Sequence, residues 1–180
     1  MDEISKLPST IPIFPLSNFI IFPNTTVPLN IFEPRYIQMI DDSMKSHRMI
    51  GMIQPKKSGE LKKPDLYEVG CIGKITSFNE TEDGRYLIII NGVSRFSIDQ
   101  EIKTDKLYRS CKVNYQNYKE DLDNKIVKFA IKDLDKILDD LKSLFDKKGF
   151  MVDWSSLKKQ DFSETLNTLS MASPFSLEEK

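Results

Sequence analysis

Apolar and polar positions switch between two periods along this chain of 180 residues. After ten residues of mixed charge, Ile11-Pro12-Ile13-Phe14-Pro15-Leu16 alternates proline with large apolar side chains. Proline cannot donate to a sheet ladder, so the run reads as an edge strand or extended segment with its apolar side chains turned inward. Phe19-Ile20-Ile21-Phe22 follows and ends at the turn signal Pro23-Asn24, and residues 27–32 are a further strand candidate. At Glu33-Pro34-Arg35-Tyr36 the period becomes helical. Pro34 suits a first helical turn, and Tyr36, Ile37, Ile40 and Met44 recur at spacings of one, three and four, predicting a helix over about 34–46.

Strand periodicity then returns. Residues 49–54 form a short apolar run, 55–64 a loop, and 70–78 a strand that turns at Asp83-Gly84. The strongly apolar, β-branched run 85–90 suits a central strand. Gly92 punctuates it, 94–98 follows with Phe96 and Ile98 inward, and 108–118 closes the β region with Cys111, Val113 and Tyr115 on one face. Beyond Tyr118, Val127, Ile131, Leu134, Leu138, Leu141 and Phe145 recur every three or four positions, predicting a helix over 123–148 that stops at Gly149. A second helix starts near Asp161, whose spacing to Glu164 fits a capping box, and carries Phe162, Leu166 and Leu169. Ser176-Leu177-Glu178-Glu179 repeats that start signal one residue before the chain ends, which predicts a natural protein that continues. The class expected is α+β, with a β-rich part over 1–118 and a helical part over 119–180. No Gly/Ser linker separates them, so they are expected to pack together.

Charge narrows the partners. Lys and Arg number 26 against 27 Asp and Glu, so no global field draws in nucleic acid or anionic lipid. No segment approaches the roughly 18 apolar residues that span a bilayer. Met1-Asp2-Glu3 is acidic where a secretory signal is basic. A cytoplasmic protein without a membrane partner is expected. Cys71, Cys111 and the single His47 are too few and too scattered for a zinc site, and the thiols are expected to be reduced and half-buried on strands.

Reactive constellations are missing from the pattern. None of the seven glycines has Walker A or dinucleotide-loop spacing, so no nucleotide cofactor is expected. His47 sits at the polar end of the first predicted helix, where a cationic side chain is favoured by the helix dipole. Asp41-Asp42 and Asp139-Asp140 are neighbours on helices and point about 100° apart, too divergent to share a substrate atom. The basic loop holding Lys56, Lys57, Lys62 and Lys63 lacks the interleaved aromatics that single-stranded nucleic acid would stack on. Phe19, Phe22, Met39, Met44, Met49 and Met52 are the candidate binding residues, because adaptable methionine-rich surfaces suit varied apolar partners. Core filling is the competing account of each methionine.

The opening run, Phe22-Pro23, and Pro28-Leu29-Asn30-Ile31-Phe32-Glu33-Pro34-Arg35-Tyr36 together resemble the start of the Lon protease N-terminal domain. Tyr67-Glu68-Val69-Gly70-Cys71-Ile72-Gly73, Asp83-Gly84-Arg85 and Asn91-Gly92-Val93-Ser94-Arg95-Phe96 follow in that family's order. The likeness runs from about residue 11 to 180. One departure is Asn24, where the family commonly has glycine; Asn tolerates positive φ, so the turn is expected to form. The resemblance implies a PUA-like β pseudo-barrel followed by a C-terminal helical bundle. It also implies a non-catalytic module that recognises unfolded or apolar polypeptide segments, an adaptor in protein quality control, with RNA binding as the alternative. The full protease needs an ATPase and a Ser–Lys peptidase domain, which 180 residues cannot hold. Phe32, Glu33, Pro34, Arg35, Tyr36, Gly70, Gly92, Arg95 and Phe96 are the structural motif. Glu33 and Arg35 are expected to form a buried or half-buried ion pair at the helix start, with Arg95 as partner or competitor. Self-association through the helical region is the remaining expectation.

Overall fold

The computed structural model describes residues 3–17, 19–56, 63–123, 131–154 and 162–173. The chain divides into two compact units, 1–123 and 124–180. The first contains β1 (Thr10–Pro15), β2 (Thr26–Ile31), α1 (Pro34–Met44), β3 (Met49–Ile53), β4 (Val69–Glu80), β5 (Tyr86–Ile102) and β6 (Arg109–Asn114). The second contains α2 (Ile131–Lys147) and α3 (Phe162–Ala172).

The six strands run in the order β2-β5-β4-β3-β1-β6, and β6 pairs back onto β5. The length of β5 makes this closure possible. Its first half, from Tyr86 to Asn91, pairs with β2, and its second half, from Ser97 to Ile102, pairs with β6. β1 and β3 are parallel, and the other pairs are antiparallel. Inside the ring lie Ile11, Ile13, Ile53, Ile72, Phe96, Cys111, Val113 and Tyr115. Both thiols are buried, deeper than the sequence suggests, because the strands carrying them face the closed interior and not one side of an open sheet. Gly51 and Gly70 leave room for the Phe96 ring; a Cβ at Gly70 would stand 2.6 Å from it.

Two sequence expectations need correction. The runs 85–90 and 94–98 are one strand, not two. Gly92 does not end the strand, although the register with β4 shifts beside it; it admits the 22–25 turn, whose Phe22 carbonyl oxygen would stand 2.1 Å from a Cβ at that position. The Asn24 N–H donates to the Gly92 carbonyl at 2.9 Å and the Gly92 N–H to Thr25 O at 2.8 Å, with Asn24 at φ 61. The strand expected over 108–118 stops at Asn114 and continues as 3-10 turns over Gln116–Leu122.

Those turns explain Arg95. Its backbone N–H, Nε and Nη2 donate to the Asp121 carboxylate at 2.8, 2.9 and 2.7 Å, and its guanidinium lies 4.9 Å over the Tyr118 ring. Arg95 is therefore a clamp between β5 and the turns, and has no part in the Glu33 pair. The Asp121 side chain is only 8% exposed, against 48% for Arg95. Removing the arginine side chain leaves a nearly buried anion with only the residue 95 backbone N–H as partner, whereas removing the carboxylate leaves a solvated cation and that one N–H. Arg95→Ala is accordingly expected to cost about 2 kcal/mol and Asp121→Ala about 1 kcal/mol in urea denaturation. Equal costs would contradict this asymmetry.

The helical unit has a small core of its own. Phe145 and Leu169 are buried, with Leu138, Leu141, Val152 and Trp154 against them. Phe150 and Trp154 meet the Phe145 ring edge-on, each at 6.0 Å. Val127, the helix start expected at Asp161 and the final capping box at 176–179 lie outside the described residues.

Candidate functional site

The proline-rich opening and the Glu33–Tyr36 motif meet at the end of β1. Tyr36 packs its ring 4.3 Å from Phe14, with its hydroxyl 3.5 Å from Pro15 O. Glu33 is the N-cap of α1, and its carbonyl accepts the N–H groups of Tyr36 and Ile37 at 2.8 and 2.9 Å. Its carboxylate does not cap the helix. It takes Nε and Nη2 of Arg35, both at 2.8 Å, and Arg35 lies 4.5 Å over the Tyr36 ring. Both side chains are near 44% exposed, so the pair orients Arg35 at the surface rather than anchoring a core.

Beside this junction opens a groove of about 680 Å³. Half-buried Pro15 and Pro64 give it a narrow apolar base, with Ile13, Tyr36 and Pro55 buried beneath. Its far wall is the segment 102–109 joining β5 to β6, which α1 holds in place. Asp42 accepts Lys106 Nζ and Tyr108 Oη, each at 2.8 Å, and Gln38 Oε1 accepts the Leu107 N–H at 2.8 Å. This strap presents Leu107 at 63% exposure on the groove's lip. Arg109 closes one end, donating Nε and Nη2 to Glu101 at 3.1 and 2.8 Å and Nη1 to Pro64 O at 2.6 Å. Lys63 also reaches Glu101, at 3.0 Å.

The charges are arranged to stay ionised. Partial burial pushes Glu101 up, but hydrogen bonds from Arg109 and Lys63 outweigh it and hold the carboxyl below its ordinary value. Hydrogen bonds from Lys106 and Tyr108 likewise lower Asp42. Tyr108 is pushed up to about 12 by burial and by donating to that carboxylate. The groove thus offers fixed charge, prolines and a tyrosine face, with no nucleophile hydrogen-bonded to a base. Among the described residues no group of three His, Cys, Asp or Glu side chains could hold a metal.

The sequence-chosen binding residues do not converge here. Met39 is 0% and Met52 3% exposed, so both fill the core and are withdrawn from any ligand. Met44, Met49, Phe19 and Phe22 are half-buried, and the two phenylalanines serve partly through backbone carbonyls that accept Gln54 Nε2 and Thr25 Oγ1. His47 is exposed beyond the end of α1. Of the motif, Arg35 and Tyr36 line the groove, Gly70, Gly92, Arg95 and Phe96 shape the barrel, and Phe32 stands 65% exposed. Lys63 lies on the groove rim and Lys56 is exposed, while Lys57 and Lys62 are outside the described residues. Sequence reasoning missed Leu107, Tyr108 and Arg109 as a groove-lining strap. The one available signal was Leu107-Tyr108 amid the charged residues of 103–109.

The comparisons bear on this geometry. The family profile described as the ATP-dependent protease La (LON) substrate-binding domain matches residues 10–180. A Lon protease of Desulfosudis oleivorans is 36% identical over 104 residues, 56% of this chain and 13% of that protein. One from Parabacteroides distasonis is 33% identical over 115 residues, 62% of this chain and 14% of that protein. The chain therefore spans about an eighth of the length of the curated relatives it matches. The N-terminal domain of a Mycobacterium avium complex Lon protease superposes with a TM-score of 0.64 at 15% identity, covering 94% of this chain and 86% of that one, a likeness of fold. The family match gives a substrate-binding module, gives RNA binding no support, and locates no protease domain within these 180 residues. No described helix is long and apolar enough to cross a membrane. The chain belongs to the Lon substrate-binding domain family.

Proposed function

We propose that this module holds extended, unfolded polypeptide segments in the groove between the start of α1 and the 102–109 strap, as an adaptor in protein quality control. The observation that supports this most is an exposed leucine on a well-anchored strap, with half-buried Pro15, Pro64 and Tyr108 lining the same groove. Extended apolar segments seat well on proline and tyrosine surfaces, which are rigid and lose little conformational entropy on contact. The strap is held by Asp42 and Gln38, so the surface is pre-formed.

The buried, unpaired thiols support action in a reducing compartment such as the cytoplasm. Exposed Ile137, Phe150 and Met151 in the helical unit support self-association there, which sedimentation velocity would detect.

Fluorescence anisotropy of a labelled, reduced protein with its thiols blocked by iodoacetamide provides the test. Leu107→Ser is expected to weaken binding about tenfold, roughly 1.4 kcal/mol, because it removes the apolar lip without touching the core. Leu87→Ser, at an exposed position on β5 outside the groove, is expected to change nothing. Equal effects of the two would assign binding to general surface hydrophobicity and remove the groove reading.

A further inference from the structure

We infer that the groove selects apolar segments flanked by acidic side chains. This rests on the groove reading above and adds the class of segment preferred. Five cationic and two acidic side chains line the groove. Glu33 and Asp42, just behind the rim, pair with Arg35 and Lys106. At the other end, one carboxylate serves two cations, because Lys63 and Arg109 share Glu101. Among the described residues no ion pair engages Lys103, which lines the same groove. Asp105 also lines the groove, so the five cations face four carboxylates, Glu33, Asp42, Glu101 and Asp105, and the apolar base lies beside a local surplus of one positive charge in a chain whose formal net charge is −1.

The geometry favours side-chain carboxylates over a chain terminus. The Lys63 side chain is 66% exposed even while its ammonium sits 3.0 Å from Glu101, and Lys103 is also exposed, so both are open to solvent at the rim. Two strap N–H groups that would cradle a terminal carboxylate are already spent, Leu107 N–H on Gln38 and Lys106 N–H on Thr104 Oγ1. An aspartate or glutamate next to an apolar stretch can meet the lysines while its neighbours cover Pro15, Pro64 and Tyr108. Exposed pairs of this kind contribute modestly one at a time and act mainly on selectivity and association rate.

Four labelled peptides sharing one apolar core decide the matter with the full chain. Three have amidated C-termini and carry flanking Glu, Gln or Lys; the fourth carries Gln and a free terminal carboxylate. The expected order of affinity is Glu, Gln, Lys, with about tenfold between the first two at 50 mM salt and the gap closing near 500 mM. Lys63→Glu with Lys103→Glu, both at exposed positions, is expected to invert the order. Equal binding of the Glu and Gln peptides, or tightest binding of the Lys peptide, overturns the acidic preference and leaves the groove reading intact. Tighter binding of the free-carboxylate Gln peptide than of the Glu peptide overturns the choice of side chains over a terminus. If no peptide binds, both readings fall.

Discussion

Gly92→Ala is expected to destabilise the β unit by about 3–5 kcal/mol, a loss reserved for a few mechanisms such as backbone overpacking. The added methyl would stand 2.1 Å from the Phe22 carbonyl oxygen and 2.9 Å from its carbon. Neither is the far end of a flexible side chain. The two segments are also tied together on both sides of the contact, by Asn24 N–H to Gly92 O and Gly92 N–H to Thr25 O. Thr25, buried, donates its hydroxyl to Phe22 O at 2.7 Å and stiffens the turn, so lifting it breaks both bonds to Gly92 and uncovers Ile21. Gly84→Ala is the control. Gly84 has φ 77 at the hairpin tip with nothing within 4 Å of an added Cβ, so only the left-handed conformation is penalised, about 1 kcal/mol. Thermal melting followed by near-ultraviolet circular dichroism should show a fall above about 10 °C for Gly92→Ala and about 4 °C for Gly84→Ala. A melt of Gly92→Ala within two or three degrees of the parent would contradict the close approach.

The same glycine shows where the sequence was legible and where it was not. Local chemistry was readable. Pro34 opened α1, Asp83-Gly84 made the hairpin, and Asn24 took the positive φ its turn requires. Gly92 looked like punctuation because its cause is a chain segment 70 positions earlier, and no local period records such a contact. The methionines failed for a related reason. Met39 and Met52 have an identity that suits either a core or a sticky surface, and only the closure of β6 onto β5 decides between them. Tyr36 and Arg35 were singled out, for a structural role and not for binding, because they sit in a distinctive motif. The strap was not, because Lys103 to Arg109 has no period, and its order comes from Gln38 and Asp42 on a helix more than 60 residues away. Arg95 was noticed beside Phe96 but assigned to the wrong partner, since Asp121 lies in 3-10 turns that carry no strong pattern.

The largest chemical effect concerns the two thiols. Burial, followed by the charge of Asp121, pushes Cys71 up to about 12; burial, followed by the charge of Glu101, pushes Cys111 up to about 11. Thiolate is the reactive form, and an unfolded thiol ionises near pH 8.5, so at that pH the folded chain holds roughly a thousandth of the usual thiolate at Cys71. Alkylation by iodoacetamide at pH 8.5 is expected to be slowed at least a thousandfold at Cys71 in the native protein and to recover in urea. The same shifts fix the pH dependence of stability. Their folded values lie above their unfolded ones, so the stabilisation is complete below about pH 8 and drains away as pH rises towards 11 and 12, where the unfolded chain releases protons the folded chain retains. Burial raises Tyr115 in the same direction, its hydroxyl donating to Pro8 O at 2.8 Å, and adds to the loss at the alkaline end. The unfolding free energy from urea titrations should therefore fall between pH 8 and pH 10.5 by an amount on the order of a few kcal/mol. A flat profile over that range, or native thiols that react as fast as free cysteine, would mean that the barrel interior is open to water.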